Sequence, residues 1–239
     1  MSDTNFRIPL ARRSFLSRAG GGAALLGTVL GARIAEAQAP APAPAGPWQA
    51  ARHSEDDWMD QPSAKHKFFM DTTTAEALGN AMLYTNNFFT ASRNGYALTD
   101  QDSAVIVCVR HESAPFAFSD AMWAKYGAVL AEHAGNFNDP KTKQTPAINV
   151  YVAAGYNGLL PSRGITLDAN IKRGLRLAVC QLATRAIAGV AAQRTGGKVD
   201  DIYKELVDNR LPNATMVPAG IVAVSRAQEH GYTFAYVNR

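Results

Sequence analysis

Residues 105–109 read Val-Ile-Val-Cys-Val. An apolar, largely β-branched run with no polar alternation is the pattern of a strand buried on both faces, as in a parallel sheet covered by helices. Outward from it, short apolar runs alternate with longer stretches of helical periodicity. Upstream, 66–71 (HKFFMD) is a second candidate strand and the threonines at 72–74 mark a helix start. The helix expected over 75–92 carries Ala77, Leu78, Ala81, Met82, Tyr84, Phe88 and Phe89 on one face. Downstream, Pro115 leads into a short helix over 119–126, and 134–146, rich in Asn, Pro, Lys and Thr, reads as a loop. Residues 148–154 fit either a strand or part of a long insertion. A helix over 166–173 ends at Gly174, a strand follows at 175–179 (LRLAV), and an Ala-rich helix over 183–192 closes at Gly196-Gly197. Then come a helix at 199–208 with Asp200 and Asp201 at its positive end, a strand at 214–217, a helix at 220–230 and a last strand at 232–237. The alternation predicts an α/β sandwich with a mostly parallel five-stranded sheet.

The start of the chain has a different character. Arg12 and Arg13 are followed by Ser14, Phe15 and Leu16, then by an uncharged stretch of small and apolar residues over 19–32. That stretch falls short of the roughly 20 residues a bilayer span needs. With Ala35-Glu36-Ala37 as a cleavage site, 1–37 reads as a twin-arginine export signal. It implies passage through the twin-arginine translocase and a soluble periplasmic product. Residues 38–64 read as a Pro/Ala-rich tether (39–47, APAPAPAGP) followed by a polar leader holding Trp48, Trp58 and four acids, expected to lie against the domain. The folded domain is expected over 65–239.

Arg7, Arg12, Arg13, Arg18 and Arg33 of the chain's 24 Lys and Arg lie in the signal, against only Asp3 and Glu36 of its 20 acids. The remainder is nearly neutral, which argues against a nucleic-acid partner.

Two cysteines are present. Cys108, inside the buried run, reads as packing. Cys180 stands at the end of the LRLAV strand, before a helix, and in open α/β sheets ligands bind beyond the carboxyl ends of strands. The positive end of a helix favours the thiolate, and Arg185, one turn in, would add to this if it folds back. Arg110 and His111 follow the VIVCV run, so they lie at a second strand end and could approach Cys180. The aromatic segment that follows, with Phe116 and Trp123, would line a pocket, form a subunit contact or pack in the core. A Cys108–Cys180 disulfide is disfavoured, because twin-arginine substrates fold before export and Cys108 looks buried.

No metal-ligand spacing links the five His, and no haem-attachment, phosphate-loop, dinucleotide or Gly-x-Ser-x-Gly motif follows the signal. No metal or cofactor is expected.

Residues 175–185 (LRLAVCQLATR) and 214–237 (ATMVPAGIVAVSRAQEHGYTFAYV) together resemble the DsrE/DsrF-like sulfur-relay family. The likeness rests on the Val217-Pro218-Ala219-Gly220 turn, the Gln228-Glu229-His230-Gly231 helix end and the closing strand from Tyr232 to Tyr236. It is clearest over 165–239, looser over 65–130, and departs at 134–164. The resemblance implies a three-layer α/β/α fold, frequent oligomers and a persulfide carried on a strand-end Cys, here Cys180. A sulfur donor or acceptor protein, or a small ligand, would be its partner. Arg110 and His111 are expected to stabilise the anion, with Arg185, Phe116 and Trp123 as binding residues. The alternative on the same scaffold is a non-catalytic ligand-binding or oligomeric interaction protein.

Overall fold

A computed structural model describes residues 48–238. The residues read as an export signal, a cleavage site and a Pro/Ala tether lie outside the described residues.

Five strands form one sheet: β1 (His66–Thr72), β2 (Ser103–Val109), β3 (Arg176–Cys180), β4 (Ala214–Val217) and β5 (Thr233–Tyr236). All neighbours are parallel and the order is β4-β3-β2-β1-β5. Alternate residues enter separate cores, as a two-residue period requires. Val105, Val107, Val109, Leu177 and Val179 face one core, and Ala104, Ile106, Cys108 and Ala178 face the other. The expected α/β sandwich is thus present, with every strand pair parallel.

The first core is covered by α1 (Ala75–Tyr96), α2 (Asp120–His133), α4 (Gln181–Thr195) and α5 (Val199–Asp208), with the short α3 (Leu167–Lys172) beside them. Thr74 caps α1 by accepting from the Ala77 N–H at 3.1 Å. The second core is covered by α6 (Gly220–Glu229) and by a 3-10 segment, Ser54–Met59. Met59 is wholly buried there, and Tyr232 donates its hydroxyl to the Met59 carbonyl at 2.7 Å. Asp60 meets His230 Nδ1 at 2.8 Å. The polar leader therefore closes the face that α6 leaves open.

Several boundaries differ from the sequence reading. α2 continues past Tyr126 to His133, bending where Tyr126 takes non-helical φ/ψ, because Val129, Leu130 and Ala131 carry its apolar face on into the core. Residues 148–154 form turns, not a strand. Asn149 holds them by donating Nδ2–H to the carbonyls of Phe116 and Phe118, both at 2.8 Å, and Tyr151 donates to the Ala75 carbonyl. α4 begins at Gln181, immediately after β3, so no loop separates Cys180 from the helix.

Candidate functional site

β3 and β4 are neighbours, yet the chain leaves them toward opposite faces. α4 buries Ile187, Ala188 and Ala191 in the first core, while α6 buries Ala223, Val224 and Ala227 in the second. Such divergence opens a crevice beyond the strand ends, the usual ligand position in sheets of this kind. A cleft of about 290 Å³ occupies it. Cys180 and Arg110 border the cleft from strand ends, Leu182, Ala183 and Ala186 from α4, and Ala219, Gly220 and Ile221 from the start of α6. His111 and His133 line it too, and both also line an adjoining hollow of about 380 Å³ with Thr73, Thr74 and Glu112.

Cys180 is the last residue of β3 and the N-cap of α4. It is 7% exposed, and its thiol makes no hydrogen bond among the described residues. Thr184 donates its hydroxyl to the Cys180 carbonyl at 3.0 Å, fixing the backbone of the strand-to-helix passage.

Arg110 follows β2. Its Nε and Nη2 donate to the two carboxylate oxygens of Asp71, each at 2.9 Å. Asp71 lies on β1 opposite Cys108 and is almost fully buried. This two-point hydrogen-bonded pair raises the Arg110 pKa above its ordinary value, chiefly through the bond to Asp71. The guanidinium is therefore a fixed cation whose charge is largely matched by its partner. Gly220 makes the arrangement possible, since a Cβ there would stand 2.6 Å from Arg110 Cδ and 3.0 Å from Cys108 Sγ.

His111 is exposed and has a left-handed φ of 51°. Few non-glycine residues adopt this backbone without a reason in their surroundings. Here Ser113 secures the turn, accepting the Arg110 N–H at 3.0 Å and donating to the Thr72 carbonyl at 3.0 Å. His133 comes from the end of α2. Burial lowers its pKa from the ordinary histidine value, and interaction with the His111 backbone opposes that effect in part.

Cys108 is completely buried, and burial pushes its thiol pKa well up, with the Asp71 charge adding to the rise. Both cysteines are free. Cys108 pairs with Ala178, so Cys180 lies two residues further along the neighbouring strand. Strand geometry then puts their Cα atoms about 8 Å apart, beyond the reach of about 7 Å for a disulfide.

The structure thus brings Cys180, Arg110 and His111 to one cleft, and leaves three other expected residues elsewhere. Arg185 does not fold back toward Cys180. Its Nη1 meets Asp200 at 3.0 Å and its guanidinium lies over the Tyr203 ring at 4.1 Å, both partners being on α5. Phe116 and Trp123 are fully buried, with ring centroids 5.2 Å apart, and line neither the cleft nor the adjoining hollow; Phe116 also packs edge-on against Phe137 and Tyr151. They are core residues because the insertion folds over them. His133 and Asp71 were not picked out from sequence. Both reach the site only through strand register and the extra length of α2.

Among the described residues no group of three or more His, Cys, Asp or Glu is placed to hold a metal ion, and no helix is long and apolar enough to cross a membrane. Comparison with protein-family models, curated proteins and solved structures gives no match.

Proposed function

We propose that this chain is an exported sulfur-carrier domain of DsrE-like kind, which holds a sulfur atom on Cys180. The observation that carries the reading is the position of Cys180: a thiol with no hydrogen-bond partner, at the N-terminus of a fifteen-residue helix, lining a cleft at the point where the sheet's connections diverge. Helix N-termini favour the thiolate, the reactive form. The Cys180 thiolate attacks the outer sulfur of a donor persulfide, R–S–SH. A new S–S bond forms to Cys180 as the donor's S–S bond breaks. The donor leaves as R–S⁻ with the bonding electron pair, and the proton stays on the transferred sulfur. No net oxidation occurs, so no oxidant is needed, and the reverse step delivers sulfur to an acceptor thiolate. Leu182, Ala183, Ala186 and Ile221 give the cleft apolar walls beside the thiol.

Peptide mapping after brief alkylation of the folded protein tests the reading. Cys180 is expected to be modified while Cys108 stays silent until the chain is unfolded. Protection of Cys180 equal to that of Cys108 would overturn it.

A second reading, non-covalent binding of a small ligand in the same cleft, is favoured by the near-enclosure of Cys180. It predicts ligand binding that survives Cys180→Ser.

A further inference from the structure

Among the Leu, Ile and Val side chains of the described residues, Leu182 and Ile221 are the two most exposed, at 64% and 62%. Both line the cleft of about 290 Å³ beside Cys180, one from the first turn of α4 and the other from the first turn of α6. A single exposed apolar side chain is ordinary on a protein surface. Two of them, on separate helices at one cavity, mark a place where a ligand takes apolar surface out of water. Ala183, Ala186, Ala219 and Gly220 add only small apolar groups to the walls.

Apart from the exposed His111, the polar residues of the cleft offer no unmatched charge. Arg110 gives Nε–H and Nη2–H to the two carboxylate oxygens of Asp71, so that cation and anion balance. Burial lowers the His133 pKa, which keeps its ring neutral at neutral pH. No carboxylate lines the cleft. A charged group entering here loses hydration without gaining a counter-ion, which costs affinity. An uncharged apolar group escapes that cost and covers Leu182 and Ile221. An apolar cavity of about 150 Å³ takes one benzene ring, so this cleft has room for about two rings or an alkyl group of similar bulk.

We propose that the cleft selects an uncharged, apolar ligand of low molecular weight, aryl or branched alkyl, seated against Leu182 and Ile221. This rests on and deepens the reading of Cys180: in the donor persulfide R–S–SH, the group R is apolar and carries no carboxylate, phosphate or ammonium.

Equilibrium dialysis of the full-length folded protein against three probes of one size tests the selectivity. The probes are naphthalenemethanol, which is uncharged, naphthoate, an anion, and naphthylmethylammonium, a cation, all substituted at the same ring carbon. The uncharged probe is expected to bind at least about tenfold more tightly than either ion. Leu182→Ser/Ile221→Ser removes both exposed aliphatic side chains and should weaken its binding by about five- to tenfold. Because both positions are exposed, Tm should move by no more than about 4 °C in that variant. Equal or tighter binding of either ion, no binding of the uncharged probe, or an affinity unchanged by the double substitution would overturn the proposal. Alkylation of Cys180, measured separately, tells the two readings apart. A preference for the uncharged probe with an inert Cys180 sinks the carrier reading alone, and a reactive Cys180 without that preference sinks the apolar site alone.

Discussion

Gly220→Ala sets helix propensity against packing at the point where fold and site meet. Gly220 is buried at the first position of α6. Propensity by itself favours Ala in a helix by about 0.5–1 kcal/mol. The added Cβ would stand 2.6 Å from Arg110 Cδ, 2.8 Å from Arg110 Cβ and 3.0 Å from Cys108 Sγ. None of these atoms yields cheaply, because Arg110 is held at two points by Asp71 and Cys108 sits mid-strand between β1 and β3. Overpacking of this kind costs about 1–3 kcal/mol, and with a closest approach of 2.6 Å the upper part of that range applies, so the steric effect wins and a net loss of up to about 2.5 kcal/mol remains. At about 2–4 °C per kcal/mol for a domain of this size, Tm should fall by up to about 10 °C. Gly189→Ala in α4, where a Cβ would meet nothing within 4 Å, isolates the propensity effect and should raise Tm. Thermal unfolding of the three proteins by circular dichroism, checked by urea midpoints, reads both changes. A Gly220→Ala variant melting at or above the wild type would refute the packing described between Arg110, Cys108 and α6.

Three other predictions concern the residues around that point. Trp123→Ala should cost about 3–5 kcal/mol through the core and leave the alkylation rate of Cys180 unchanged wherever the fold holds; lost reactivity at full stability would put Trp123 in the cleft instead. Asp71→Asn leaves the half-buried Arg110 without its anion and should destabilise by about 1.5–3 kcal/mol, whereas Asp71→Asn/Arg110→Gln should cost less than the single change; equal urea midpoints for single and double variants would contradict the pairing. Asp102 accepts from the Thr99 N–H and hydroxyl and pairs with Lys65, and the backbone bond from Thr99 leads in lowering its pKa to about 2. A lowered folded value means the stabilisation is complete above the ordinary carboxylate value of 3.8 and is lost as pH falls toward about 2. The stability gap between the wild type and Asp102→Asn should therefore shrink over that interval, and a gap independent of pH would exclude the effect.

The centre of the sheet was legible in the sequence because β2 and most of β3 are buried on both faces: VIVCV needs no alternation to be recognised, and LRLAV repeats the pattern. The extent of α2 was not legible, since Tyr126 breaks the helical geometry where the periodicity was being read. Residues 148–154 look strand-like because Val150 and Tyr151 are buried, but what buries them is a clip made by Asn149 to carbonyls some thirty residues earlier. At the site, Cys180, Arg110 and His111 could be found because strand ends can be found. Arg185 could not be oriented, since the choice between Cys180 and Asp200 depends on how α5 packs against α4. Asp71 and His133 depend on register and helix length, which local pattern does not contain.

Sulfur transfer to Cys180, as proposed, is open to accurate-mass peptide mapping of the folded protein after exposure to a low-molecular-weight persulfide donor, with and without subsequent reduction. One added sulfur is expected on the Cys180 peptide, removed by reductant, and none on the Cys108 peptide. An unmodified Cys180, or an addition whose mass is that of two oxygens and which resists reduction, would contradict it.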